Sequence, residues 1–100
     1  MLILKDNVKA YMCLEPTDMR CSFDKLSVMA QAYIGKNPTS GHMFLFRNRA
    51  SNKLKILYWD GHNFCLWYKR LSKGSFNIRP GLQYDFEMNK DIFYDLIHQK

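Results

Sequence analysis

The sequence predicts an α+β fold, a single domain in which an antiparallel sheet of about four or five strands packs against one or two helices. Two patterns and the bulk composition predict it. Strand-like stretches at 42–49, 53–59 and 64–71 follow one another across Ala50-Ser51-Asn52 and Asp60-Gly61-His62-Asn63. Connectors this short cannot hold a crossover, so neighbouring strands must run antiparallel. Helical spacing of apolar residues occurs on the flanks, after Ser22 and after Asn89. The 100 residues, 47% hydrophobic and 24% charged, suit one globular domain with a modest core. No internal repeat, low-complexity tract or domain boundary interrupts them.

Val8, Ala10, Met12 and Leu14 alternate through 8–14 and predict a first strand. Glu15-Pro16-Thr17-Asp18 ends it, because proline has no N–H for a ladder and Thr and Asp favour turns. From Ser22, an N-cap, Phe23, Leu26, Ala30, Tyr33 and Ile34 recur at spacings of three and four and predict a helix that stops at Gly35. Lys36 to Gly41 is a turn-rich connector into the three central strands. A four-residue loop in the central hairpin sets Trp59 opposite Phe64, Leu57 opposite Leu66, Lys55 opposite Tyr68 and Lys53 opposite Arg70. One face then carries Lys53, Lys55, Trp59, Phe64, Tyr68 and Arg70 together, whereas a two-residue loop at Asp60-Gly61 would change those partners. Lys73-Gly74 breaks the third strand, Phe76 to Pro80 reads as an extended tail of the sheet, and Gln83 to Met88 as a further short strand. Asn89 caps a closing helix with Ile92, Phe93, Leu96 and Ile97 on its buried side.

Charge is local. Between His42 and Pro80 eight bases, Arg47, Arg49, Lys53, Lys55, Lys69, Arg70, Lys73 and Arg79, stand against Asp60 alone, a balance of +7, while the remainder holds seven bases and eight acids. The net charge of +6 is therefore the footprint of a surface for a polyanion and not a diffuse bias. Ser40 to Phe76 also holds both Trp and eight of the fifteen aromatics, which places rings for packing or base stacking beside cations for phosphate. No apolar run approaches the ~20 residues that span a bilayer. The start, MLILKDNVKAYMCL, lacks a basic n-region and puts Lys5, Asp6 and Lys9 where a signal peptide needs its apolar core. The chain reads as cytoplasmic, with no membrane partner. Cys13, Cys21 and Cys65 are an odd number without paired spacing, so a disulfide framework is not expected.

Pro16-Thr17-Asp18-Met19-Arg20 with Phe23-Asp24 and Leu26, then Ser40-Gly41-His42 with Phe44 and Phe46-Arg47, then Lys55-Ile56-Leu57-Tyr58-Trp59-Asp60-Gly61, then Phe64-Cys65-Leu66-Trp67-Tyr68-Lys69-Arg70-Leu71 with Gly74 and Phe76, form an ordered series. This series closely resembles the small TnpB-type accessory proteins of the bacterial insertion sequence sixty-six transposon family. It runs from about Leu14 to Pro80, and several motifs in order are far more specific than one. The resemblance implies an accessory factor encoded beside a transposase and needed for efficient movement of the element, with strand cleavage and joining done by the larger partner. Cys21-Ser22 departs from the family pattern, which often has a basic residue followed by glycine or serine, and removes one cation beside Arg20.

Arg20, Arg47, Arg49, Lys53, Lys55, Trp59, Tyr68, Lys69, Arg70 and Lys73 are the candidate DNA-binding residues. The cations would neutralise phosphates; the alternative is a solvated basic face. Arg20, held by Asp18, would sit on a phosphate with helix N-terminal donors beside it, or else would order the turn as a structural bridge. Of Tyr58, Trp59, Trp67 and Tyr68, at least half are expected in the core, since alternation turns some of them inward. Catalysis is not expected: Asp18, Asp24 and Asp60 are the only carboxylates near the basic block, and Asp60 has a conformational reason to precede Gly61. Cys13, Cys21, Cys65, His42, His62 and His98 are scattered, without ligand pairs for zinc, and Cys65 between Phe64 and Leu66 reads as a buried small hydrophobe. No Gly-rich phosphate loop is present, so neither a metal nor another cofactor is expected.

The expected function is a non-enzymatic accessory role in DNA transposition, with element-end DNA and the transposase of the same element as partners. The runner-up is a protein-interaction module that docks on the transposase without strong DNA binding, and a metal-dependent nuclease ranks below it. Nothing in the sequence speaks to oligomeric state.

Overall fold

The structure, a computed structural model, describes residues 2–78 and 86–100, with only the backbone at Phe86. Its elements are β1 (Ala10–Met12), α1 (Phe23–Met29, continued by a π-helical turn over Ala30–Ile34), β2 (Met43–Arg47), β3 (Lys53–Trp59), β4 (Phe64–Arg70), β5 (Phe86–Met88) and α2 (Lys90–His98). The strands form one sheet in the order β4-β3-β2-β1-β5. The α+β class and the strand number are as expected, but the sheet is mixed, because β1 pairs with β2 in parallel. Every other pair is antiparallel. The chain between β1 and β2 is long enough to cross the sheet through α1, the connection that parallel neighbours require.

Alternation decides what each face buries. Ala10 and Met12 of β1, Met43 and Leu45 of β2, and Leu54 and Ile56 of β3 join Phe93, Leu96 and Ile97 of α2 in one cluster, with Val8 and Leu14 packed against it. Tyr11, Phe44, Phe46 and Leu57 point the other way and meet Leu26 and Ala30 on the α1 side. The sheet thus has one helix on each face, and burying both faces gives β2 and β3 their nearly continuous apolar runs.

Local signals hold at the helix ends. Asn89 accepts a hydrogen bond from Ile92 N at 2.9 Å and caps α2. Gly35 ends the first helix in the left-handed region at φ 75°, its N–H bonded to Ala30 O. Ser22 stands at the N-cap with extended backbone, yet its side chain makes no capping bond. Strand β2 stops at Arg47, two residues short of the expected 42–49, because the Asn48 side chain turns the backbone. Its Oδ1 accepts from Asn52 N and Lys53 N, both at 3.0 Å, and so builds the turn to β3. Residues 76–78 lie outside the sheet, contrary to the expected extended tail. Phe76 instead donates to Ser51 O and plugs the α2-side core. Arg79, Pro80 and residues 83–85 of the expected last strand lie outside the described residues. No helix among the described residues is long and apolar enough to cross a membrane.

Candidate nucleic-acid interface

The β3–β4 hairpin has the four-residue loop: Lys53 pairs with Arg70, Lys55 with Tyr68, Leu57 with Leu66 and Trp59 with Phe64. Asp60 pins this register by accepting from His62 N at 2.8 Å and Asn63 N at 2.7 Å, bonds that hold its carboxyl below the usual carboxylate range. Gly61 takes φ 107°, which only glycine adopts without strain. The face shared by Lys53, Lys55, Tyr68 and Arg70 is therefore as alternation predicts, and it is the face on which α1 lies.

Three of the basic residues hold the fold together. Lys55 is 6% exposed, and its Nζ donates to Met19 O at 2.6 Å and Cys21 O at 2.7 Å, tying the segment before α1 to the sheet. The same ammonium lies 4.9 Å from the centre of the Tyr68 ring, a cation–π contact. Lys69 points to the opposite face and donates to Ile97 O at 2.9 Å and Gln99 O at 2.5 Å, satisfying carbonyls at the C-terminal end of α2. Arg47 Nη2 donates to Leu14 O at 2.9 Å, while its own carbonyl accepts from Thr17 N at 2.7 Å, so the segment 14–17 is fastened to the end of β2.

The fastened segment forms the wall of an open groove of about 720 Å³ lined by Pro16 to Arg20, by Asn48, Arg49 and Ala50 of the β2–β3 turn, and by Lys53 and Tyr68. Arg20, Arg49, Lys53 and Tyr68 thus meet around one hollow although up to 48 positions separate them in sequence, Arg20 to Tyr68. Arg49 and Lys53 have no side-chain partner among the described residues. Arg20 does: its guanidinium grips Asp18 through Nε at 3.0 Å and Nη2 at 2.6 Å. These bonds, with a further one from Arg20 N, pull the Asp18 carboxyl down to about 2. The pair is in water, the Arg20 side chain being 92% exposed, so it orients the guanidinium without tying it down.

Arg70 borders a smaller hollow with Tyr68, and Lys73 is exposed in the loop after β4. Trp59 is not at the groove. It lies six residues along β3 from Lys53, roughly 20 Å away, and packs edge-on against Phe64 at 5.0 Å. Tyr58 and Trp67 are half-buried against the α2-side core, whereas Tyr68 is 50% exposed. None of these four rings is among the buried core residues, contrary to the expectation that at least half would be: Tyr58 and Trp67 pack against the margin of the core and Trp59 against Phe64. The Cys65 thiol is pushed up by burial and then by Asp60, which opposes the thiolate a nucleophile needs. Among the described residues no group of three or more His, Cys, Asp or Glu is placed to hold a metal ion.

Sequence reasoning missed Asn48, the residue that builds the turn presenting Arg49. A polar Asn at a strand end before a short connector was the available signal.

Comparison with known proteins is decisive at the family level. The model of the family described as "IS66 Orf2 like protein" matches residues 8–97. The chain belongs to that family. Membership associates it with an insertion sequence and so with transposition. Two similar proteins come from Sinorhizobium fredii (strain NBRC 101917 / NGR234). "Uncharacterized protein y4hO" is 40% identical over 76 residues, 76% of this chain and 66% of that protein. "Uncharacterized protein y4jC" is 28% identical over 83 residues, 83% of this chain and 71% of that protein. The chain thus spans just under two thirds of the first relative. No solved structure matches. The matched region covers all five strands and nearly all of α2, including the Pro16–Arg20 wall and the basic hairpin that together make the groove.

Proposed function

We propose that this protein is a non-enzymatic accessory factor in transposition that works in the cytoplasm and binds the DNA backbone through the groove between the Pro16–Arg20 wall and the β3–β4 hairpin. It assists the transposase of the same element at the element ends, while strand cleavage and joining belong to that enzyme. The convergence of Arg20, Arg49 and Lys53 on one open groove carries this reading. These cations have no carbonyl to satisfy, in contrast to Lys55, Lys69 and Arg47, so their charge is available to phosphate. The family's association with transposition supplies the kind of polyanion.

The test is a triple variant, Arg20→Ala, Arg49→Ala and Lys53→Ala, compared with the parent chain by anisotropy on labelled DNA and by transposition in cells. Melting should stay within a degree or two, while DNA affinity drops at least tenfold and transposition fails. Full affinity in the folded triple variant would overturn the proposal.

One observation favours the runner-up. Among the described residues β4 is paired on one side only, so the far edge of Phe64–Arg70 is free to accept a strand from another protein. On that reading the transposase adds to the sheet. It would then bind parent and triple variant equally, and the parent would bind DNA weakly or not at all.

A further inference from the structure

We propose that the groove takes single-stranded DNA, with an unpaired base stacked on Tyr68 and the adjoining phosphates on Arg20, Arg49 and Lys53. This rests on the DNA-binding reading above and names the form of DNA.

Shape is the first reason. Proteins that read a duplex push a helix or a two-stranded ribbon into its groove, so the reading element stands proud. Here the cations surround a hollow between the Pro16–Arg20 wall and the hairpin, with Tyr68 among its lining residues. A recess with a ring and surrounding cations suits a strand whose base can turn out of the stack, not the outside of a duplex.

The ring itself is the second reason. Tyr58, Trp59, Phe64 and Trp67 of the same hairpin are only partly exposed and packed against neighbours, whereas Tyr68 is 50% exposed on both hollows that flank it. Its position is held from beneath, because the Lys55 ammonium lies 4.9 Å from the ring centre and is itself anchored by Met19 O and Cys21 O. A ring already held loses little freedom when a base stacks on it. Cross-strand pairing sets Lys53 and Arg70 opposite each other two residues further along the same face, so the backbone positions that carry charge for a flanking phosphate stand about 7 Å along the strands from the Lys55–Tyr68 pair.

The experiment uses the full chain and three labelled probes: a mixed-sequence single strand of about a dozen nucleotides, its duplex, and the same strand made abasic throughout so that only the sugar-phosphate backbone remains. The expected result is a preference for the single strand over both other probes of roughly 5- to 150-fold, the worth of one base on one aromatic ring. Tyr68→Ala should bind the normal and abasic strands alike, and Tyr68→Phe should restore the discrimination. The abasic comparison needs no variant, so it decides the matter even where Tyr68→Ala folds poorly. Equal affinity of the parent chain for all three probes overturns base stacking and leaves backbone binding standing. A duplex preference overturns the single-strand form, and no binding to any probe overturns both readings.

Discussion

At the scale of single residues, the cations of one basic stretch divide into two kinds, and position decides which kind each is. Lys55 sits in a buried place with two carbonyls as partners, and removing it would strand both. Lys55→Met should therefore destabilise the fold by about 1–3 kcal/mol, measured by urea denaturation. It should also loosen the segment that carries Arg20. A variant as stable as the parent would show that the carbonyls find other partners. Arg20 is the opposite case. Its Nε and Nη2 bonds are the largest cause that holds the Asp18 carboxyl at about 2, so Arg20→Ala, which keeps the Arg20 N bond, should let that carboxyl rise part of the way toward its ordinary value of 3.8, followed by carbon-detected NMR. A group lowered on folding contributes stability above its unfolded pKa and loses it as pH falls through the folded value. Any loss from this pair belongs between about pH 4 and pH 2, and is small because both partners face water.

At the scale of elements, the hairpin and the closing helix are each pinned at one end by a polar group that sequence alone marks only partly. The β3–β4 turn needs Gly61 at φ 107°. Gly61→Ala should cost about 1–2 kcal/mol through backbone strain, although nothing lies within 4 Å of the added Cβ. A thermal melt unchanged by this substitution would mean that the turn re-forms in another conformation. Helix α2 carries its N-cap within itself in Asn89, but its C-terminal carbonyls are met by Lys69, which reaches over from β4. Lys69→Ala should destabilise by about 1–2 kcal/mol and raise amide exchange in the last turn of α2. DNA affinity should stay within about twofold, since Lys69 faces away from the groove. A large loss of affinity in the folded variant would move the DNA surface to the α2 face.

For the whole molecule, the number of cations that reach phosphate sets the salt dependence. With Arg20, Arg49, Lys53 and Arg70 engaged on a single strand, log K should fall against log salt with a slope of roughly −3. The full basic stretch would give a steeper line, close to −5 or beyond. A slope that steep would require Arg47, Lys55 and Lys69 to leave their carbonyls, which the buried position of Lys55 opposes.

Sequence by itself determined much of this protein, wherever a signal is local. Alternation sorted the side chains of β1 and of each hairpin strand into two sets, and Asn89 and Gly35 marked helix ends. Each depends on residues a few positions apart, within one strand, one turn or one helical cap. Tertiary structure alone decided that β1 runs parallel to β2, that the hairpin closes with the four-residue loop and so sets Lys55 opposite Tyr68, that the two helices lie on opposite faces, and which cations remain free. The carbonyls that take up Lys55 and Lys69 lie 28 to 36 positions away in the chain. A lysine's own neighbours cannot reveal whether such an acceptor will arrive, because folding brings it there only when the sheet and both helices close together.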